Sequence, residues 1–145
     1  MLKLSKKADY GLIALRHLAT HQGGEAVSAT EIAEECGIST PLMAKILQKL
    51  ARKGLVLARH GSSGGYQLAR DPASISALEV IDAIDGPLFI TSCVTSRGEC
   101  GHTHTCTVRE PLRRVNETIL QVLGALTISE MANHPGGSAV VELRT

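Results

Sequence analysis

The fold is decided by residues 28–68, which read SATEIAEECGISTPLMAKILQKLARKGLVLARHGSSGGYQL. Ser28 and Glu31 form a capping box that predicts the start of a short helix. A second helix is predicted from about Thr40 to Arg52, with Ser39 as its cap and an inward-facing apolar stripe at three- and four-residue steps: Leu42, Ile46, Leu47 and Leu50. Two strand-like runs follow, and the loop of Gly and Ser between them predicts a β-hairpin. Tyr66, in the second of these runs, is predicted to pack the hairpin against the core.

Helices are predicted on both sides of this stretch. One is predicted from Ser5 to about Thr20, one over 76–85, and a long one from Thr107 to about Leu126, followed by a short last helix. Aromatic residues make up only 2% of the chain, so the core must be aliphatic, which suits helices packed on helices. The sequence therefore predicts a mainly α fold: a winged helix-turn-helix with a two-stranded wing and a long C-terminal helix.

The distribution of charge indicates a polyanionic partner. Residues 1–70 carry ten Lys/Arg and five Asp/Glu, a net charge of +5, whereas 71–145 have a net charge of −4. A helix-turn-helix presents the start of its second helix to base edges, and its wing brings backbone close to the duplex. We therefore predict binding to double-stranded DNA. The candidate DNA contacts are Ser28, Ser39, Thr40, Pro41, Met43, Lys45, Lys49, Arg59, His60, Gly61, Ser62 and Ser63.

Other functions and locations are disfavoured by the sequence. No nucleotide-binding glycine motif or catalytic Ser/His/Asp grouping stands out, so an enzyme is not predicted. The scarcity of aromatics disfavours binding of single strands by base stacking. No apolar run approaches the roughly 18 residues of a transmembrane helix, and no signal peptide is recognisable, so we expect a cytoplasmic protein.

Three of the four cysteines crowd into one segment as Cys93, Cys100 and Cys106. Their spacing fits neither a zinc finger nor the usual ferredoxins. Soft thiolates select iron–sulfur clusters or zinc over hard cations. Three alternatives follow: an iron–sulfur cluster, a zinc site completed by His102 or His104, or metal-free thiols that act as a redox switch or are simply buried.

The fourth cysteine is separate from this group. Cys36 falls on the apolar stripe of the short helix over 29–36, where a free cysteine behaves as a small apolar side chain. We predict that Cys36 is a core residue.

Several motifs resemble those of a known family. The matching pieces are LSKKADY at 4–10, IA at 32–33 with GIS at 37–39, GGYQL at 64–68, LTISEM at 126–131 and the clustered cysteines. On these motifs the chain, from residue 2 to about 133, resembles the bacterial winged-helix transcription regulators. That family includes the iron–sulfur assembly regulator IscR and the nitric-oxide sensor NsrR. The branch it resembles most comprises regulators of the SUF iron–sulfur assembly system.

The resemblance implies a cytosolic homodimer that binds an operator and controls transcription, by repression or by activation. It also implies a [2Fe–2S] or [4Fe–4S] cluster held by the three cysteines. In the family, the long helix after the cysteines packs against its copy in the partner. An apolar stripe of this chain fits that role: Leu112, Val115, Ile119, Val122 and Leu126.

The chain departs from the family pattern at two positions. His60 stands where many relatives carry a wing arginine, with Arg59 one residue earlier. Arg109 stands where the iron–sulfur branch uses a histidine ligand, so a fourth ligand must come from elsewhere. The candidates are Asp9, His102, His104 and Glu99. Asp9 ranks first, because Arg109 takes the place of the histidine and because Asp9 lies on the first helix, in the predicted DNA-binding half. It aligns with the acidic residue that the nitric-oxide-sensor branch donates from the other subunit.

These observations divide the chain into four segments. We expect a winged helix-turn-helix DNA-binding domain at 1–85, a cysteine-bearing cluster loop at 86–106, a dimerisation helix with a short capping helix at 107–133, and a tail at 134–145.

Overall fold

The computed structural model describes residues 4–21, 25–62, 64–88 and 109–133. Within these ranges the helices and strands follow the order predicted for a winged helix-turn-helix, so the predicted fold class is confirmed. The elements are α1 (Lys6–Thr20), α2 (Ala29–Cys36), α3 (Thr40–Arg52), β1 (Val56–Arg59), β2 (Gly65–Leu68), α4 (Ala77–Asp85), α5 (Arg109–Ala125) and α6 (Ile128–Asn133), with one 3-10 turn at Pro72–Ser74.

Serine hydroxyls set the starts of three helices. Each accepts a hydrogen bond from a backbone N–H of the first turn, which would otherwise lack a partner inside the helix. The three bonds join Ser5 Oγ to Ala8 N at 3.0 Å, Ser28 Oγ to Glu31 N at 3.1 Å and Ser76 Oγ to Glu79 N at 3.1 Å. Glu79 accepts a bond from the Ser76 N–H at 3.1 Å, which completes the capping box there.

The core is built from aliphatic side chains around α1. Leu15 of α1, Ile32 of α2, Leu47 of α3 and Ile81 of α4 are all completely buried. Gly11 lies where α1 meets α4, and a Cβ at this position would collide with Ile84. The two helices can therefore approach closely, as small residues at a helix contact permit. No described helix is long and apolar enough to cross a lipid bilayer.

The C-terminal helices are joined to the rest of the described chain by backbone hydrogen bonds. Ala77 N donates to Leu126 O at 2.8 Å, and Ile128 N donates to Ile75 O at 2.9 Å. Ile128 is completely buried in the same core as α1. Most of the predicted cluster loop and all of the predicted tail lie outside the described residues, and the four segment boundaries remain predictions.

The wing is an antiparallel hairpin with a third chain segment at its base. β1 pairs with β2 in the register Val56 to Leu68 and Arg59 to Gly65. Val27, just before α2, exchanges two backbone hydrogen bonds with Tyr66, at 2.8 and 2.9 Å. Tyr66 packs against the core, as predicted from the sequence. The wing is therefore fixed to the start of the helix-turn-helix, a contact that the sequence did not indicate.

Gly65 makes this attachment possible, and Gly65→Ala tests it. Its φ is +151°, and a Cβ would collide with the Val27 carbonyl group. We expect Gly65→Ala to lower the free energy of unfolding by about 2–3 kcal/mol, measured by urea unfolding. Gly61→Ala is the control, because Gly61 has a φ of +103° but no atom of the described residues within 4 Å of its added Cβ. We expect the control to lose only about 1 kcal/mol. Equal losses for both variants would contradict the collision with Val27.

Candidate nucleic-acid interface

The start of α3 is accessible, as a recognition helix requires. Ser39 and Pro41 are exposed and Thr40 is half-buried. Ser39 occupies the N-cap position, but its hydroxyl makes no capping hydrogen bond, contrary to our expectation for this residue. Backbone N–H groups in the first turn of a helix lack partners inside the helix and favour anions. This end of α3 can therefore contact base edges or a phosphate.

Met43 was wrongly placed among the DNA contacts. Its side chain is completely buried, so it cannot reach a base edge. The buried positions of α3 are Met43, Ile46, Leu47 and Leu50, which recur at helical spacing. The sequence interpretation began this stripe at Leu42, which is only half-buried. The helical spacing of the buried residues from Met43 to Leu50 was the sequence signal that could have identified Met43 as a core residue.

The two predicted lysines of α3 differ in their surroundings. Lys45 is exposed and makes no ion pair with any described residue. Lys49 is exposed too, but its Nζ donates a hydrogen bond to the Ile84 carbonyl at 2.7 Å. A cation near the last carbonyls of a helix is favoured by the helix dipole. Lys49 therefore stabilises the end of α4, a role that sequence reasoning missed.

The part of the wing that includes the end of β1 and the turn after it is exposed. Arg59, His60, Gly61 and Ser62 are all exposed, whereas Ser63 lies outside the described residues. Gly64 N donates to Gly61 O at 3.0 Å and closes the turn. A narrow turn without bulky side chains lets backbone approach a duplex closely.

Ser28 belongs to both the cap of α2 and the base of the wing. Its hydroxyl accepts from Glu31 N, and its own backbone N lies 2.7 Å from where a Cβ of Gly65 would be. The start of the helix-turn-helix and the wing are therefore held together, so that both can contact the same duplex.

Most of the predicted cluster ligands lie outside the described residues. These are Cys93, Cys100, Cys106, Glu99, His102 and His104. Asp9 is described: it is an exposed residue in the first turn of α1. Among the described residues, no group of three or more His, Cys, Asp or Glu side chains could hold a metal ion.

Cys36 packs against the core, which confirms its predicted role. Burial raises the pKa of its thiol, and the neighbouring Glu35 raises it further. A metal ligand must be a thiolate, which a raised pKa disfavours. The Cys36 thiol therefore stays protonated over a wider pH range than an exposed thiol, as expected of a core residue.

One face of α5 exposes apolar side chains. Val115 is 49% exposed and Val122 is 62% exposed, while Leu112 and Ile119 are half-buried. Leu126, the fifth member of the predicted stripe, instead packs against this chain's own core.

The opposite face of α5 is charged. Arg113 makes ion pairs with Glu110 at 2.7 Å and with Glu117 at 2.5 Å. The helix is therefore amphipathic, with an apolar stripe that the described residues leave partly uncovered.

An accessible recognition helix, exposed cations and a wing define a DNA-binding protein of the winged helix-turn-helix class. The chain belongs to the Rrf2 family of iron-dependent transcriptional regulators, whose family model matches residues 4–134. It is a DNA-binding transcriptional regulator of this family. The relatives are regulators and not enzymes. This confirms two predictions from the sequence: that the chain is a transcription regulator and that it is not an enzyme.

Three known proteins illustrate the similarity. The transcriptional regulator IscR of Xenorhabdus nematophila is 30% identical over 133 residues, which cover 92% of this chain and 80% of that protein. The structure of CymR, the global cysteine regulator of B. subtilis, has a TM-score of 0.77 and 29% identity and covers 93% of this chain and 99% of that one. The structure of T. potens IscR has a TM-score of 0.72 and 30% identity, with 96% of each chain covered.

Proposed function

We propose that this regulator couples operator binding to an iron–sulfur cluster held by Cys93, Cys100 and Cys106, and that it controls genes of iron–sulfur cluster assembly. The family description, iron-dependent regulation, and the similarity to IscR support the proposal. Three thiolates are the soft donors that such a cluster takes. When bound, a cluster supplies a redox-active group that can be oxidised or lost. The alternative is a zinc-containing or metal-free regulator that responds to redox state through the same thiols.

The observation that carries the proposal is a pair of hydrogen bonds at the end of α4. Lys49 Nζ of α3 donates to Ile84 O at 2.7 Å, and Ser5 Oγ, at the start of α1, donates to Asp85 Oδ1 at 2.8 Å. The cysteine-bearing segment begins directly after these residues. A displacement of this segment that moves the end of α4 would therefore reach both the recognition helix and α1.

The exposure of Asp9 and the chemistry of its carboxylate support this residue as the proposed fourth ligand. Its carboxylate is exposed on α1 and makes no hydrogen bond or ion pair with any described residue. An oxygen ligand binds iron less tightly than a thiolate does, which would make that iron labile. Donated from the partner subunit, Asp9 would connect one subunit's α1 to the other subunit's cysteine segment.

The homodimer is part of the same proposal. Val115 and Val122 lie one above the other on α5, with Leu112 and Ile119 on the same side. When two copies of this face pack together, each Å² of buried apolar surface stabilises the dimer by roughly 25 cal/mol. We therefore propose that α5 packs against its copy in a cytoplasmic homodimer.

DNA contact at the predicted face is tested by Lys45→Ala and Arg59→Ala. We expect each variant to bind a duplex selected by the wild-type protein from a random library about five- to tenfold more weakly, because each substitution removes a side chain that meets a phosphate or a base. Fluorescence anisotropy measures the affinity, and circular dichroism checks the fold. Lys53→Ala, at the end of α3, is the control. Wild-type affinity in both variants would contradict the placement of the interface.

The dimer interface is tested by Val122→Asp. Val122 is largely exposed in the single subunit, so the variant should fold, whereas in a dimer it would bury an unpaired charge at a cost of several kcal/mol. We expect sedimentation to show a monomer. Gln121→Asp, on an exposed position of the charged side, should stay a dimer. A dimeric Val122→Asp variant would place the interface elsewhere.

The cluster is tested by anaerobic purification, visible absorption and analysis for iron, sulfide and zinc. We expect Cys93→Ala, Cys100→Ala and Cys106→Ala each to lose the chromophore, because each removes a thiolate ligand. Cys36→Ala is the matched control and should keep it. Wild-type protein that holds zinc, or no metal, would replace the cluster by the corresponding alternative.

The same preparations test the fourth ligand. Asp9→Ala should keep the cysteine ligation but shift the absorption spectrum, and DNA binding should depend less on the state of the cluster. Should Asp9→Ala change neither property while His102→Ala or His104→Ala changes both, the fourth ligand is local and not donated across the dimer.

A further inference from the structure

A cationic groove lies beside the recognition helix, on the side where α3 meets the start of α1 and the end of α4. It is open to solvent and has an empty volume of about 810 Å³. The four cations that line it are Lys7, Lys45, Lys49 and Arg52. Its apolar floor includes Ile46 and Ile84, which are almost fully buried. We call this feature the α1–α3 groove.

The charge of the α1–α3 groove is not neutralised within the described residues. None of the four cations makes an ion pair with a described carboxylate, and Lys49 makes its hydrogen bond to a neutral carbonyl. Like charges held this close repel one another and favour a bound anion, an effect that salt screens. The groove is therefore complementary to negative charge.

The arrangement of the cations favours an extended anion over a small one. Lys45, Lys49 and Arg52 follow each other at helical spacing, so they form one row on α3. The row rises about 10 Å along the helix from Lys45 to Arg52. Such a length exceeds one phosphate group and suits neighbouring phosphates of a duplex, in which each strand carries one charge per about 3.4 Å of helix axis.

We propose that the α1–α3 groove contacts the phosphate backbone of the bound DNA, with Lys7 and Arg52 as contacts that extend the interface beyond the helix start and the wing. The inference rests on the proposed DNA-binding face, because Lys45 belongs to both surfaces. Phosphate contacts of this kind position a protein on the duplex without reading its sequence. Lys7 brings α1 into the interface, so a movement of α1 would change affinity for any duplex sequence.

Lys7→Gln and Arg52→Gln are the informative variants. Each removes one charge, and neither residue makes a side-chain hydrogen bond or ion pair with a described residue. Lys49 is unsuitable, since its substitution would also break the bond to Ile84 O. The matched controls are Lys6→Gln and Lys53→Gln. They remove the same charge from the adjacent positions, and neither control residue lines the groove.

The measurement is the affinity of the full-length protein for a 30-base-pair duplex of mixed sequence, at several salt concentrations. The affinity decreases with salt, and log affinity plotted against log salt gives a line of negative slope. The magnitude of this slope decreases by about 0.9 for each phosphate that the protein no longer neutralises. We expect this decrease for Lys7→Gln and for Arg52→Gln, about twice the decrease for the double variant, and none for the controls. At 0.1 M salt, each such decrease corresponds to roughly eightfold weaker binding.

The outcomes separate the two proposals. Unchanged slopes in Lys7→Gln and Arg52→Gln, or equal decreases in the controls, would overturn the groove contact while wild-type binding still supports the proposed DNA-binding face. Failure of the wild-type protein to bind any duplex at low salt would overturn the proposed face and the groove contact together. Unfolding midpoints equal to that of the wild type show that the variants remain folded.

Discussion

The close contact between α1 and α4 is the constraint on which the rest of the structure depends. Gly11 leaves space for Ile84, so α4 lies directly against α1. This approach brings the end of α4 to two polar partners, Lys49 of α3 and Ser5 at the start of α1. One apolar contact therefore holds α3, α1 and the end of α4, which precedes the cysteine-bearing segment, in fixed relative positions.

The buried positions of α3 hold the helix on the core, and its charged positions form its exposed surface. Met43 and Leu47 are completely buried and hold the helix on the core, whereas Lys45 and Arg52 remain in solvent. Lys49 combines both roles, because it carries a charge at the proposed DNA-facing side and stabilises α4 through a backbone carbonyl. The surface of α3 is therefore linked directly to the end of α4.

The candidate site was partly predictable from the sequence. The order of elements and the Gly- and Ser-rich turn were enough to place Lys45, Arg59 and His60 on exposed parts of a winged helix-turn-helix. Met43 was misplaced because a stripe read from Leu42 and one read from Met43 differ by a single residue, which is about 100° around the helix. Leu126, just after α5, packs against this chain's own core, a contact that the apolar spacing could not separate from a contact with a partner.

The sequence by itself determined the elements, because caps, helix stops and apolar spacing act over three to seven residues. Serines mark the starts of α1, α2 and α4, and these starts agree with the structure. Only the tertiary structure decided which distant residues meet. The pairing of Val27 with Tyr66, the bond from Lys49 to Ile84 and the position of Lys7 beside α3 join residues between 35 and about 40 positions apart. No local pattern encodes such contacts, because they follow from how the aliphatic faces of separate helices fit together when the core is buried.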